Sequence, residues 1–337
     1  MQAAEFKRPS RDRVEAILLS MRRLRVGVLG DPCLDAYWLA DMTQSELSLE
    51  TPHHPLPIVE ERYSPGGAGN AAANLAALSP SRVAMLGVLG EDWRGELLTE
   101  ALATMGVTLD GIVRSTGRIT HAYIKPLRKG YSDVVYEDPR LDFENARPLP
   151  DRDEESLITS VLHAAPNLDA LCICDQFDYG CVTERVRQTA DALGGEGLLV
   201  VADSRKRAGF YRHAIIKPNE KEAAEYYPEA APEEAALAFS KRNGKPALVT
   251  VGADGCFASD GMRVWRIPAI RVKPPLDTVG AGDTFLAAFT LAAAGGATLP
   301  EAAFMGNLAS SVTIRKIGVT GSATPSEILS AYDSLPE

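Results

Sequence analysis

Six short apolar runs punctuate this chain: RVGVLGD (25–31), RVAMLGVLG (82–90), ALCICD (170–175), LLVVAD (198–203), AIIKPN (214–219) and ALVTVG (247–252). Runs this short and this apolar read as strands buried on both faces, the kind found in parallel sheets. Between them lie helical patterns at 69–78, 95–106, 154–165, 183–195 and 234–244, and two more follow the last run. Strand and helix in alternation predict an α/β fold, a mainly parallel sheet covered by helices on both faces. Sites in such folds lie at the carboxyl ends of the strands.

Two stretches break the alternation. Residues 36–63 and 118–145 are polar, proline-bearing and of β type, with no helix inside them. They predict a small accessory sheet, a lid, inserted in a single domain spanning 1–337. Near the start, Lys7, Arg8, Arg11 and Arg13 precede EAILLSM, a run short enough and polar enough to be an amphipathic helix rather than a secretion signal. No stretch approaches the ~18 apolar residues of a membrane span. The formal net charge of −10 speaks against nucleic acid and against an anionic lipid surface, while leaving room for a small anionic substrate in a locally basic cleft. Cys33, Cys172, Cys174, Cys181 and Cys256 form no CxxC pair, so free thiols in a cytoplasmic protein are expected.

Chemistry concentrates in DTVGAGDTF (277–285), which opens an alanine-rich helix. Gly280, Ala281 and Gly282 leave backbone N–H groups free to face an anion at the helix start. Asp283 lies beside them, where it is either a helix cap or a base that takes a proton next to an anion site. A second glycine-rich stretch, SPGGAGN (64–70), formally fits a dinucleotide pattern through Gly67, Gly69 and Ala72, with Glu91 downstream. The polar segment before it argues against that reading. It leaves close helix packing or a ligand site, and Asn70 favours the ligand.

In their order along the chain, DTVGAGDTF, SPGGAGN, PNEKE (218–222) and VTVGADG (249–255) resemble the pfkB, or ribokinase-like, family of carbohydrate kinases over about residues 24–325. Within it, GDPCLDAYW (30–38), ELSLETP (46–52), RLDFE (140–144) and RKIG (315–318) are most similar to the kinases of heptose 7-phosphate. The resemblance implies a three-layer α/β/α sandwich with a β lid, and transfer of the γ-phosphate of MgATP to a sugar hydroxyl. It makes Asp283 the base and Gly280, Ala281 and Gly282 the anion hole. Asn219 and Glu222 become the pair that organises Mg²⁺ through water, while Thr250, Gly252 and Gly255 hold nucleotide phosphate and ribose. Asn307, read at the start of a C-terminal helix, falls near the adenine, and Asp277 matches a K⁺ ligand of several members. Asp31, Gly66, Gly67 and Asn70 match sugar-facing positions, with Asp35 a further candidate. Asp31 is equally readable as a strand-end cap, and lid residues Arg140 and Asp142 as sugar contacts or plain solvated charges. The family's habit of pairing lids implies a homodimer. A regulator without activity, or a kinase for a nucleoside, would be built on the same fold.

Two departures stand out. Heptose kinases typically carry a basic residue where this chain has Ser45-Glu46-Leu47-Ser48, and Lys125, Arg128 and Lys129 are the candidates to replace that charge. Some members continue into a nucleotidyltransferase, and its absence by residue 337 leads us to expect kinase chemistry alone.

Overall fold

The computed structural model describes residues 4–318 and 321–336. Helix α1 (Arg11–Met21) leads into strand β1 (Arg25–Gly30), followed by β2 (Pro32–Asp41), β3 (Ile58–Gly67) and α2 (Ala68–Ala77). Next come β4 (Arg82–Gly90), α3 (Trp93–Thr104), β5 (Val107–Ser115), β6 (His121–Lys129), β7 (Val135–Glu137) and β8 (Leu141–Phe143). The chain continues through α4 (Asp151–Ala164), β9 (Ala170–Asp175), α5 (Glu184–Gly195), β10 (Leu199–Ser204) and β11 (Ile215–Ile216). It then forms α6 (Glu220–Tyr226), α7 (Pro232–Asn243), β12 (Ala247–Thr250), β13 (Cys256–Ser259) and β14 (Val264–Ile267). Helices α8 (Ala281–Ala294), α9 (Leu299–Thr313) and α10 (Pro325–Asp333) complete it.

Nine strands form the main sheet in the order β14-β13-β12-β11-β10-β9-β1-β4-β5. Pairing is parallel from β5 to β12, and β13 and β14 add an antiparallel edge. Both faces are apolar, as the short runs predict. In β9, Cys172 and Cys174 face a layer containing α1, α2, α8, α9 and α10, while Leu171 and Ile173 face α4, α5 and α7. All five cysteines are free and buried. The chain order reverses between β1 and β9, so the carboxyl ends of these neighbours diverge and open a cleft.

The two irregular stretches do form a second sheet, ordered β3-β2-β6-β7 with β8 on β6. Its limits differ from expectation. Strand β2 starts at Pro32, and β3 runs through Gly67, so SPGG is extended strand rather than a glycine loop. That strand pairs antiparallel with β2, which removes the parallel β-α-β context that a dinucleotide site needs. The amphipathic helix expected near the start is α1, and Arg11 pairs with Asp333 of α10 and Arg13 with Glu301 of α9. No helix among the described residues is long and apolar enough to cross a membrane.

Candidate active site

One cavity of about 540 Å³ collects seven residues that the motifs single out: Asn219, Thr250, Gly252, Gly255, Ala281, Gly282 and Asn307. Gly255 has to be glycine. Its φ is +96°, and a Cβ there would stand 2.1 Å from the Ile267 carbonyl oxygen. Asn307 sits in the middle of α9, which begins at Leu299, rather than at a helix start. Its amide donates to the carbonyls of Ile267 and Pro268 at 3.2 and 3.0 Å, so it fastens the end of β14 to the cavity wall. Asn219 caps α6 in a reciprocal box: its side chain accepts from the Glu222 N–H at 2.9 Å, and Glu222 accepts from the Asn219 N–H at 2.8 Å.

Helix α8 starts at the floor of this cavity. Gly280 is its left-handed N-cap with φ 76°, and the Ala281 N–H turns back to the Thr278 carbonyl at 3.2 Å. Of the three amides expected to face an anion, those of Gly280 and Gly282 therefore have no partner among the described residues, and the Asp283 N–H joins them. Asp283 is no side-chain cap: its carboxylate accepts from Asn70 Nδ2 at 2.6 Å. Burial pushes the Asp283 carboxyl up to about 7; the Asn70 hydrogen bond opposes this and the neighbouring Asp203 adds to it. A carboxyl poised there changes protonation near neutral pH, as a general base requires.

Sequence reading missed Lys217 and Asp203 beside this aspartate. Lys217 and Asp203 form a buried ion pair at 2.8 Å. Burial, reinforced by Asp203, raises the Glu222 carboxyl to about 7. The signal for Lys217 is a lysine inside an otherwise apolar strand run, AIIKPN. Asn74 and Thr284, described below, leave a fainter one: a polar residue four positions from Asn70 in a helix of alanines. Among the described residues no cluster of three or more His, Cys, Asp or Glu side chains is arranged for a metal ion. The carboxylates of Asp203 and Glu222 are hard oxygen donors that still suit Mg²⁺, which keeps much of its water and takes few protein ligands. Asp277 spends its two oxygens on the N–H groups of Val279 and Gly318, each at 3.0 Å.

On the small-sheet side the two candidate aspartates separate. Asp31 is 2% exposed, and both its oxygens accept from the Cys181 N–H at 2.8 and 3.0 Å. It stands 3.8 Å from His121, whose ring stacks on Phe177 and is kept neutral by burial, its pKa pushed down to about 3. Asp35 lies above, half-buried, where Gly66 makes room for it: a Cβ on Gly66 would meet the Asp35 carboxylate at 2.7 Å. Burial raises Asp35 to about 6 against the pull of Lys125 and Arg140, and no side chain or backbone group among the described residues hydrogen-bonds it. Arg140 grips Asp142 at 2.5 and 2.7 Å and lies 4.0 Å over the Tyr123 ring. Arg128 pairs with Asp138 and Lys129 with Asp133, which leaves Lys125, bonded to the Tyr37 hydroxyl at 3.1 Å, as the basic residue turned toward Asp35. Ser45-Glu46-Leu47-Ser48 forms an irregular, largely exposed connection beyond β2.

Amides without a partner among the described residues, a poised carboxyl and a polar cleft under a small sheet share one sheet edge. The model of the pfkB family of carbohydrate kinases matches residues 36–326. This chain belongs to that family. It is a carbohydrate kinase with a ribokinase-like fold. A protein of Wolinella succinogenes named bifunctional protein HldE is 30% identical over 321 residues, covering 93% of this chain and 65% of its own length. The protein of the same name from Bradyrhizobium diazoefficiens is 31% identical, over 85% of this chain and 59% of its own. The chain thus spans less than two thirds of the length of these curated relatives. Among solved structures, Escherichia coli phosphofructokinase-2 in complex with fructose-6-phosphate superposes with a TM-score of 0.72 at 21% identity, covering 93% of this chain and 99% of that one. Arabidopsis thaliana ribokinase complexed with ribose and ATP gives 0.68 at 23% identity, covering 92% and 98%.

Proposed function

We propose that this pfkB kinase transfers the γ-phosphoryl group of MgATP to a hydroxyl of a sugar phosphate of the heptose 7-phosphate type, with Asp283 as general base. The observation that carries the reading is the position of Asp283. It sits in the first turn of α8, next to unengaged amides on the nucleotide side and within electrostatic reach of Asp35 on the sugar side. The acceptor hydroxyl gives its proton to the Asp283 carboxylate as its oxygen attacks the γ-phosphorus, and ADP leaves. The amides of Gly280, Gly282 and Asp283 stabilise the charge spread over the phosphoryl oxygens. Mg²⁺, held through water near Glu222 and Asp203, would neutralise nucleotide phosphate charge. Thr250, Gly252 and Gly255 would line the nucleotide, while Asp35, Gly66, Gly67 and Asn70 meet the sugar and Arg140 its distal end. In this reading Asp31 braces the loop at Cys181 instead of touching substrate.

The relatives named HldE support a heptose phosphate as acceptor, and Lys125 with Arg140 gives the small sheet positive charge for a phosphorylated sugar. Val59, Val135, Tyr136 and Leu141 are exposed on that sheet, which supports pairing of two copies through it. An ATP-consumption screen across hexoses, pentoses, heptose 7-phosphate and nucleosides tests the acceptor: turnover confined to unphosphorylated sugars would remove the sugar-phosphate assignment. Asp283→Asn should lower kcat about a thousandfold with nucleotide binding intact. Near-normal turnover in that variant would remove the base.

A further inference from the structure

Three buried side chains stand behind Asp283, and the reaction as written uses none of them beyond Asn70. Asn70, Asn74 and Thr284 are 3%, 1% and 1% exposed, in the interface where α2 crosses α8. Thr284 Oγ1 donates to Asn74 Oδ1 at 2.7 Å. Asn74 Nδ2 donates twice, to the Asn70 backbone carbonyl at 2.9 Å and to Asn70 Oδ1 at 3.0 Å. Asn70 Nδ2 then donates to Asp283 Oδ2 at 2.6 Å.

The direction of this chain is not free to reverse. A backbone carbonyl can only accept, so the Asn74 nitrogen must face Asn70 O, and its second proton meets Asn70 Oδ1. Asn70 is thereby left with its nitrogen toward Asp283. The Asn74 oxygen is left toward Thr284, whose hydroxyl donates to it at 2.7 Å and also reaches the Gly280 carbonyl at 3.2 Å. We infer that Asn74 and Thr284 are positioning residues for the phosphoryl transfer: through Asn70 they occupy Asp283 Oδ2 with a donor, and so reserve Oδ1 for the acceptor hydroxyl and keep the carboxylate ionised. The catalytic part of this inference rests on Asp283 being the base; the hydrogen-bond chain does not.

The other charges facing Asp283 come from separate elements. Asp203 lies at the end of β10, Lys217 follows β11, Asp35 belongs to β2, and the Cys174 thiol at the end of β9 also feels the carboxylate. Of these, only the Lys217 ammonium favours the ionised form, and it is already paired with Asp203. The Asn70 amide is the hydrogen-bond donor on the carboxylate, so fixing its orientation has a direct effect on titration.

The test is a carbon-13 NMR titration of the Asp283 carboxyl in the full chain, assigned by its disappearance in Asp283→Asn. Wild type should titrate near 7. Asn74→Leu removes both donors to Asn70 and should move the midpoint up by about one pH unit, because a hydrogen bond to a charged group is weakened. The acid limb of kcat/KM should move with it and kcat should fall about tenfold, with KM for ATP little changed. Thr284→Val should move the midpoint in the same direction by less, and Thr284→Ser should restore the wild-type value. A midpoint unchanged in folded Asn74→Leu overturns the inference. Should that variant fail to fold, an equal midpoint in Thr284→Val and Thr284→Ser overturns it instead. If Asp283→Asn keeps its turnover, the base assignment falls while the titration still decides whether the chain of amides sets the carboxyl.

Discussion

The two halves of the cleft are built on different principles. On the proposed nucleotide side, the available groups are backbone amides and glycines held by short loops at strand ends, and their positions follow from local sequence. On the sugar side, the wall comes from β2, β3, β6 and β8, strands far apart in the chain, and most of its charges are spent on one another: Arg140 on Asp142, Arg128 on Asp138, Lys129 on Asp133. Backbone recognition of phosphate leaves little room for variation, whereas a side-chain wall can change its acceptor by changing a few residues. This contrast explains why family membership speaks for the reaction more strongly than for the sugar.

Four measurements would break or sharpen that contrast. The largest effect is expected on the nucleotide side. Gly255→Val must force a side chain into the Ile267 carbonyl at a positive φ, which should cost about 3 kcal/mol of stability and abolish nucleotide binding. Denaturant unfolding together with an ATP-analogue titration checks both, and a variant of native stability that still binds would show that the loop is not held as described.

Next in size is the separation of the two aspartates. Asp35→Asn should raise KM for the sugar about tenfold or more without loss of stability, since Asp35 makes no hydrogen bond among the described residues and the amide carries no charge to desolvate. Asp31→Asn should act mainly on stability, because an amide presents one oxygen where the Cys181 N–H now meets two. The reverse pattern in kinetics and melting would exchange their roles.

The third measurement is stability against pH. Burial raises Asp31 and Asp35 to about 6, and Glu222 and Asp283 to about 7. Each therefore favours the folded state fully below the ordinary carboxylate range, and that contribution is lost as pH rises through 6 to 7. The ligand-free protein should lose about 2 kcal/mol between pH 5 and pH 8, less than the shifts would sum to because three of the four groups keep some solvent contact. Glu301 runs the other way. Its bond to Arg13 holds it at about 2, so its contribution is present at neutral pH and disappears only as pH falls toward that value. A flat unfolding curve over pH 5 to 8 would mean that the cleft carboxyls are better solvated than their burial indicates. The smallest effect belongs to Arg140→Gln, an exposed pair whose loss should cost under about 1 kcal/mol and raise sugar KM a few-fold.

The sequence made the architecture legible wherever periodicity was strong. The run at 170–175 became β9 without adjustment, and the alanine-rich stretch after SPGG became α2. Strand β5 was missed because VTLDGIVRS mixes polar and apolar residues at an edge position with mostly half-buried side chains. The hairpin of β13 and β14 was missed because CFAS and VWRI are short and interrupted by Ser259 and Arg266, so neither forms a continuous apolar run. The run AIIKPN yields a strand of only two residues followed by an isolated bridge from Asn219 to Thr250, since Pro218 offers no N–H to continue the ladder. In the site, motif residues on loops were found, whereas Lys217, Asp203, Asn74 and Thr284 were not. Their roles arise from contacts across layers that no local pattern records.

One residue joins β1 of the main sheet to β2 of the small one. Strand β1 ends at Gly30 and β2 begins at Pro32, so Asp31 alone separates them, with its carbonyl accepting from the Ala68 N–H at 3.0 Å. Mechanically this is a fulcrum. A turn of about ten degrees there would carry the far end of β2 roughly 6 Å, while Asp35, four residues from the pivot, would travel only roughly 2 Å, at the rise of ~3.3 Å per residue of an extended chain. The long arm can sweep over an incoming sugar while the short arm keeps the sugar-facing carboxylate almost in register with Asp283.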